Sequence, residues 1–195
     1  MKNIYLILAA LFLLSSFAQA NESSPQKIVE DIFAKAAQEA VSNDKALQAS
    51  ISQKVDFVAM ASAVLGGEKK KITAQEFDWF RSTLQEIITR TVYPNAPGFL
   101  TGVKISYKDM EEKTGAALVK SSVQNKADIT EVNYKLAKDS SGEWKVVDVS
   151  LDGESWVESI KDQVAETLKK KKWAGLKKQL NDRLQKLKEG KSKEA

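Results

Sequence analysis

Between residues 25 and 93 apolar positions recur every three or four residues; between 102 and 151 they alternate; from 156 onward the helical period returns. Over 25–41 the repeating set is Ile28, Val29, Ile32, Phe33, Ala36 and Ala40, and Pro25 suits a first helical position. A short helix is expected over 44–52. Over 55–65, Phe57, Met60, Ala61, Val64 and Leu65 share one face, and Gly66 with Gly67 ends the run. Thr73, with Glu76 three residues on, forms a capping box opening a long helix that aligns Phe77, Phe80, Leu84, Ile87, Ile88 and Thr91 as far as Tyr93. Pro94, Pro97 and Gly98 stop it.

Four strand-like runs follow, at 102–110, 116–123, 129–137 and 144–151, joined by short polar connections such as Asp139-Ser140-Ser141-Gly142. Short turns between consecutive strands predict an antiparallel meander. Val103, Ile105 and Tyr107 alternate with polar residues in the first run, as Val132, Tyr134 and Leu136 do in the third, so both sets should face the helices. In the last run Trp144 and Val146 are expected on one face and Val147, Val149 and Leu151 on the other, which requires cover on both sides. After Gly153, Trp156, Val157, Ile160, Val164 and Leu168 mark a helix. Trp173, Leu176, Leu180, Leu184 and Leu187 mark a final one, a narrow apolar seam among basic residues. Helices against an antiparallel sheet in one domain are the α+β class.

The extreme N-terminus follows neither period. Lys2, an apolar run from Ile4 to Leu14 and the close Ala18-Gln19-Ala20 have the form of a secretory signal peptide cleaved after Ala20. The apolar run is shorter than the roughly 20 residues a membrane span needs. The expectation is a leader over 1–20, a single domain over 21–188 and a disordered basic tail over 189–195, in a protein released to the periplasm. Export removes ATP as a cosubstrate. The chain contains no cysteine and no histidine, which excludes disulfides, thiolate nucleophiles, Cys/His zinc sites and any Ser-His-Asp triad. Its formal net charge of +4 drops by one with Lys2, too little to argue for nucleic acid.

Candidate chemistry is therefore thin. Asp148 and Asp152 form the one pair of carboxylates placed for acid–base work, but Gly153 follows at once and a turn or cap role fits better. Asp56 reads as a charge at a helix start. Ser155 with Lys161 has no motif behind it. The lysines at 169–172, continued by Lys177, Lys178, Arg183, Lys186 and Lys188, read as a solvated helix face or as a surface for anionic headgroups or an acidic partner.

Two blocks resemble the MlaC family of periplasmic phospholipid-binding proteins. The first is Val55-Asp56-Phe57, Met60-Ala61 and Val64-Leu65-Gly66, followed by Thr73, Gln75 and Phe77; the second is 142–149 (GEWKVVDV) with Leu151, Gly153, Ser155 and Val157. The chain departs from the family where Gly66-Gly67-Glu68-Lys69 stands in place of a Trp, and where Ile160 and Lys161 replace Tyr and Arg. The resemblance implies an NTF2-like α+β fold, a four-stranded antiparallel sheet wrapped by helices around an internal lipid pocket. It also implies a monomer that carries phospholipid, with no cofactor and no catalysis. The implied partners are an inner-membrane ABC transporter with an MCE-type subunit and an outer-membrane lipoprotein–porin complex, together maintaining outer-membrane lipid asymmetry.

Under that reading the helical wall of the pocket is Phe57, Met60, Val64, Phe80, Leu84 and Ile87, and the sheet wall is Val103, Ile105, Tyr107, Val132, Tyr134, Val147 and Val149. Tyr93, Tyr107 and Tyr134 have hydroxyls to satisfy, which suits the rim. The alternatives are ordinary core for any one of these residues, a periplasmic chaperone or adaptor receiving polypeptide in an apolar groove, and, more distantly, a carboxylate hydrolase.

Overall fold

A computed structural model describes residues 24–190, and the expected leader and the last five residues of the expected tail lie outside them. The helix starts follow from side-chain caps. Ser24 Oγ accepts from Lys27 N–H (3.3 Å) at the head of α1 (Pro25–Ala36), and Asp44 accepts from the N–H groups of Ala46 and Leu47 (2.8 and 3.0 Å) at the head of α2 (Lys45–Ser52). Asp56 accepts from Ala59 N–H (2.8 Å) to begin α3 (Phe57–Leu65). The Thr73–Glu76 box is complete at α4 (Ala74–Val92), with Glu76 N–H on Thr73 Oγ1 (3.2 Å) and Thr73 N–H on Glu76 Oε2 (2.9 Å). Each cap satisfies donors that the helix itself leaves without acceptors.

Two helical readings are revised. The apolar period through Ala40 does not carry α1 past Ala36: Gln38 is extended (φ −76°, ψ 131°), and a 3-10 turn, Glu39–Ser42, then buries Val41. Pro97 and Gly98 do not only stop α4. Pro97 sits in the first turn of a short helix, α5 (Ala96–Leu100), where its missing N–H costs nothing.

The sheet has six strands, not four: β1 (Lys104–Tyr107), β2 (Glu111–Lys113), β3 (Ala116–Asn125), β4 (Asp128–Lys138), β5 (Trp144–Leu151) and β6 (Glu154–Ser155). The order is β1-β3-β4-β5-β6, all antiparallel, with β2 pairing the start of β3 on the edge whose other end takes β1. The added strands are two and three residues long, below the length at which alternation is visible.

A β-bulge corrects the expected facing of β5. Lys135 pairs with Asp148 but Leu136 pairs with Val146, so Val147 is an extra residue. Alternation restarts there, and Val149 and Leu151 join Trp144 and Val146 on the inner face instead of opposing them. Asp148 is left on the outer face.

Both faces of β5 are covered, by different helices. Inside, α1 lays Ile28, Val29, Ile32 and Phe33 on Ala117, Val119, Val132, Tyr134, Leu136, Trp144 and Val146. Outside, β5 meets α3 and the start of α6 (Trp156–Lys188). The segment before α3 closes the remaining edge: Val146 N–H donates to Lys54 O (2.8 Å) and Asp56 N–H to Val146 O (2.9 Å), making Val55 a single parallel bridge. A covered edge is protected from pairing with another chain.

The core falls into three clusters. The second gathers Phe57, Met60, Val64, Phe80, Leu84, Val157, Val164 and Leu176 from α3, α4 and α6, and the third gathers Ala36, Val41, Ile51, Tyr93 and Ala96. Val55 packs against both the sheet cluster and the α3–α4–α6 cluster, and Ile32 against both the sheet cluster and the third. The helix α6 is two helices joined at Lys172, whose φ of 58° and ψ of −174° lie in territory that favours glycine. The bend presses the chain together: a Cβ on Gly175 would stand 2.2 Å from Lys171 Cβ, so no larger residue fits there without movement. Among the described residues no helix is long and apolar enough to cross a membrane.

Candidate functional site

The inner face of the sheet is more apolar than α1 can cover. Ala117, Val119, Val132, Tyr134, Leu136, Trp144 and Val146 are buried, whereas Ile105, Tyr107, Val123 and Val149 on the same face stay half-buried and Leu151 is 36% exposed. The uncovered strip crosses β1, the far half of β3 and the end of β5. It is bounded by Tyr134, whose ring meets Phe33 of α1 edge-on at 5.7 Å and 83°.

Three hydroxyls belong to this face. Ser121, buried in register between Tyr107 and Val132, donates to Val132 O (2.9 Å) and is satisfied. The hydroxyls of Tyr107 and Tyr134 make no hydrogen bond with any described residue. Burial, helped by the negative charge of Glu30, pushes the Tyr107 phenol up to about 12; burial, and then Tyr107 beside it, raises Tyr134 further. Both therefore stay protonated donors.

The residues expected to line one pocket are divided by the structure. Tyr107, Val132, Tyr134 and Val149 meet on the inner face, with Ile105 beside them. Val103 is half-buried ahead of β1, and Val147 is the bulged residue. Phe57, Met60, Val64, Phe80 and Leu84 face α6 instead of the sheet, and Ile87 is half-buried outside the three clusters. Tyr93 lies in the third cluster, its hydroxyl 2.9 Å from Ser52 Oγ. Helical spacing shows which side of a helix is apolar but not which neighbour receives it. Val123 and Met110, which also pack on the sheet cluster, were missed, although the alternation Ala117, Val119, Ser121, Val123 marks the first of them.

Asp148 and Asp152 do not converge. Asp148, 5% exposed, accepts from Ser155 Oγ (2.7 Å), Lys135 Nζ (3.1 Å) and Val157 N–H (3.2 Å), which ties the head of α6 to the outer face of β5. Asp152, at φ 48° in the turn to β6, accepts from Glu131 N–H (2.9 Å). Both are engaged in holding the fold.

Two clefts lie elsewhere. One of about 380 Å³ separates α2 from α4 and is lined by polar side chains such as Gln48, Gln53, Gln85 and Thr89. The other, of about 370 Å³, lies between the 3-10 turn Gly66–Lys71 and the bend of α6, lined by Ile72, Leu168 and Trp173 together with Lys71, its partner Glu68 (2.7 Å), Lys169 and Lys172. Of the lysine run, Lys170 pairs with Glu166 (2.5 Å), Lys178 with Asp182 (2.7 Å), and Lys177 lies over the Trp79 ring (5.3 Å). Lys169 and Lys172 pair with no described carboxylate.

The same arrangement of helices and sheet occurs in a solved structure, a phospholipid-binding protein from Ralstonia solanacearum in complex with a phospholipid. It superposes with a TM-score of 0.73 at 19% identity, over 87% of this chain and 99% of that one. No curated protein matches. The family model described as MlaC protein matches residues 23–182, a span that runs from the head of α1 through the bend and into the last turns of α6. By that match, over most of its length and all of its sheet, the chain belongs to the MlaC family.

Proposed function

We propose that this protein is a periplasmic phospholipid carrier that acts by binding alone, taking lipid between an inner-membrane ABC transporter and an outer-membrane complex. The observation that carries the reading is the apolar inner face of the sheet, roofed by α1 over only part of its width. Family membership and the fold shared with a phospholipid-binding protein support it.

The energetics fit such a task. Two acyl chains of about sixteen carbons, at ~0.8 kcal/mol per methylene, cost on the order of 20 kcal/mol to hold in water, so a carrier must offer a nearly complete apolar enclosure. At about 30 Å³ per carbon, close to a water molecule's share of the liquid, the chains need roughly 900 Å³. The clefts of about 380 and 370 Å³ are not lined by the inner face. Under this reading α1 rises from the sheet on loading, widening the strip that already stands open.

The test is to express the chain with its leader, purify it from the periplasm without detergent, and combine native mass spectrometry with lipid extraction. A stoichiometric phospholipid adduct is expected. Bare protein that also takes no lipid from vesicles would overturn the carrier and leave a polypeptide-binding chaperone as the better account.

A further inference from the structure

Tyrosine at two neighbouring positions of an apolar face calls for an explanation, because phenylalanine would pack there equally well. Tyr134 is only 7% exposed, and of its surroundings, Phe33, Val119, Val132, Val149 and Tyr107, only Tyr107 carries a side-chain oxygen, with which it makes no hydrogen bond. A buried hydroxyl without a partner is a net loss to the fold. Trp173 Nε1 is the buried polar side-chain atom sealed from solvent without a partner among the described residues, so the Tyr134 oxygen still touches accessible space. Tyr107 opposes Ser121 of β3 and Tyr134 opposes Val119, which puts the two phenols two residues apart along one face of β3.

The chemistry of a phospholipid restricts what these donors meet. Methylenes accept nothing. A phosphate brought to the depth of Tyr134 would bury a charge away from the lysine seen on this cluster, Lys138, which lies over the Trp144 ring (5.1 Å) four residues further along β4. The ester carbonyls at the glycerol end of each chain are neutral acceptors, there are two of them, and they lie at the boundary between chain and headgroup. We propose that the hydroxyls of Tyr134 and Tyr107 donate hydrogen bonds to the ester carbonyl oxygens of the bound lipid, so that the protein selects ester-linked over ether-linked phospholipid. This rests on the carrier reading above.

The experiment is competitive loading of lipid-stripped protein from vesicles holding equal amounts of diester and diether phosphatidylcholine of matched chain length, with the bound ratio read by mass spectrometry. The wild type is expected to favour the diester by about fivefold to thirtyfold, the effect of one to two ordinary hydrogen bonds. Tyr134→Phe is expected to remove most of that preference and the double variant Tyr107→Phe/Tyr134→Phe to abolish it, read as the ratio within whatever lipid each variant loads. A wild type that loads both lipids equally overturns the inference while leaving the carrier intact, as does a preference that survives in the double variant. A wild type that loads neither lipid overturns both.

Discussion

Removing the Asp148 carboxylate should detach the head of α6 from the sheet. It accepts from the Ser155 hydroxyl at 2.7 Å and the Val157 N–H at 3.2 Å, while the third donor, Lys135, has a side chain 57% exposed. Hydrogen bonds to a charged group contribute about 1.5–3 kcal/mol each, the exposed lysine under about 1 kcal/mol. Against these stands the cost of burying the carboxylate, several kcal/mol by itself. The net for Asp148→Ala, which leaves the Val157 N–H and the Ser155 hydroxyl without an acceptor, is about 3–4 kcal/mol. Asp148→Asn keeps the shape and one acceptor and should cost about 1–2 kcal/mol. Urea unfolding of lipid-stripped protein measures both, and Asp148→Ala should lower the midpoint by about 1–2 M at unchanged slope. Ser155 also caps α6 by accepting from Glu158 N–H (3.1 Å), so Asp148→Ala and Ser155→Ala should be less than additive together. A loss under about 1 kcal/mol for Asp148→Ala, or full additivity with Ser155→Ala, would refute the docking role.

At the bend of α6, Lys172→Gly should stabilise by about 1 kcal/mol by relieving φ 58°, and Gly175→Ala should destabilise by about 1–3 kcal/mol through its clash with Lys171; thermal melts check both. Tyr107 and Tyr134 have folded-state pKa values above the ordinary phenol, so their contribution to stability is complete below about pH 10 and is lost as pH rises through the folded value, about 12 for Tyr107. The stability of wild type relative to Tyr107→Phe should accordingly fall as pH climbs above about 10; a difference constant with pH would contradict this. Binding of the basic α6 region to anionic vesicles should weaken steeply with salt, and Lys169→Glu/Lys172→Glu should weaken it further in sedimentation assays, by roughly 1 kcal/mol per lysine removed.

The legible parts of this fold were those set by local chemistry. Asp44, Asp56 and the Thr73–Glu76 pair each mark a helix start because the cap bonds lie within three residues of chain. Ile105, Tyr107, Val132, Tyr134 and Leu136 share a face because alternation is a property of the extended backbone. What depended on distant partners was not legible. The bulge at Val147 follows from how β4 and β5 are held, and nothing in a run of valines marks which residue is extra. Phe57, Met60 and Phe80, expected on the helical wall of a pocket facing the sheet, pack with α6, because an apolar stripe carries no address. Alternation thus places Ile105, Tyr107, Val132 and Tyr134 on one face, while no local signal puts α1, with Phe33 against Tyr134, over it.

Val55 and Ile32 give the molecule a jointed interior. Three greasy compartments share these two side chains, so swelling one of them bears on its neighbours there. Movement of α1 on the sheet would reach the third compartment through Ile32, and the α3–α4–α6 compartment through Val55 and through Asp148, which ties β5 to the head of α6. That last compartment, with its lysine-lined cleft, feels it at Val55, pinned to β5 immediately ahead of Asp56 and the first turn of α3.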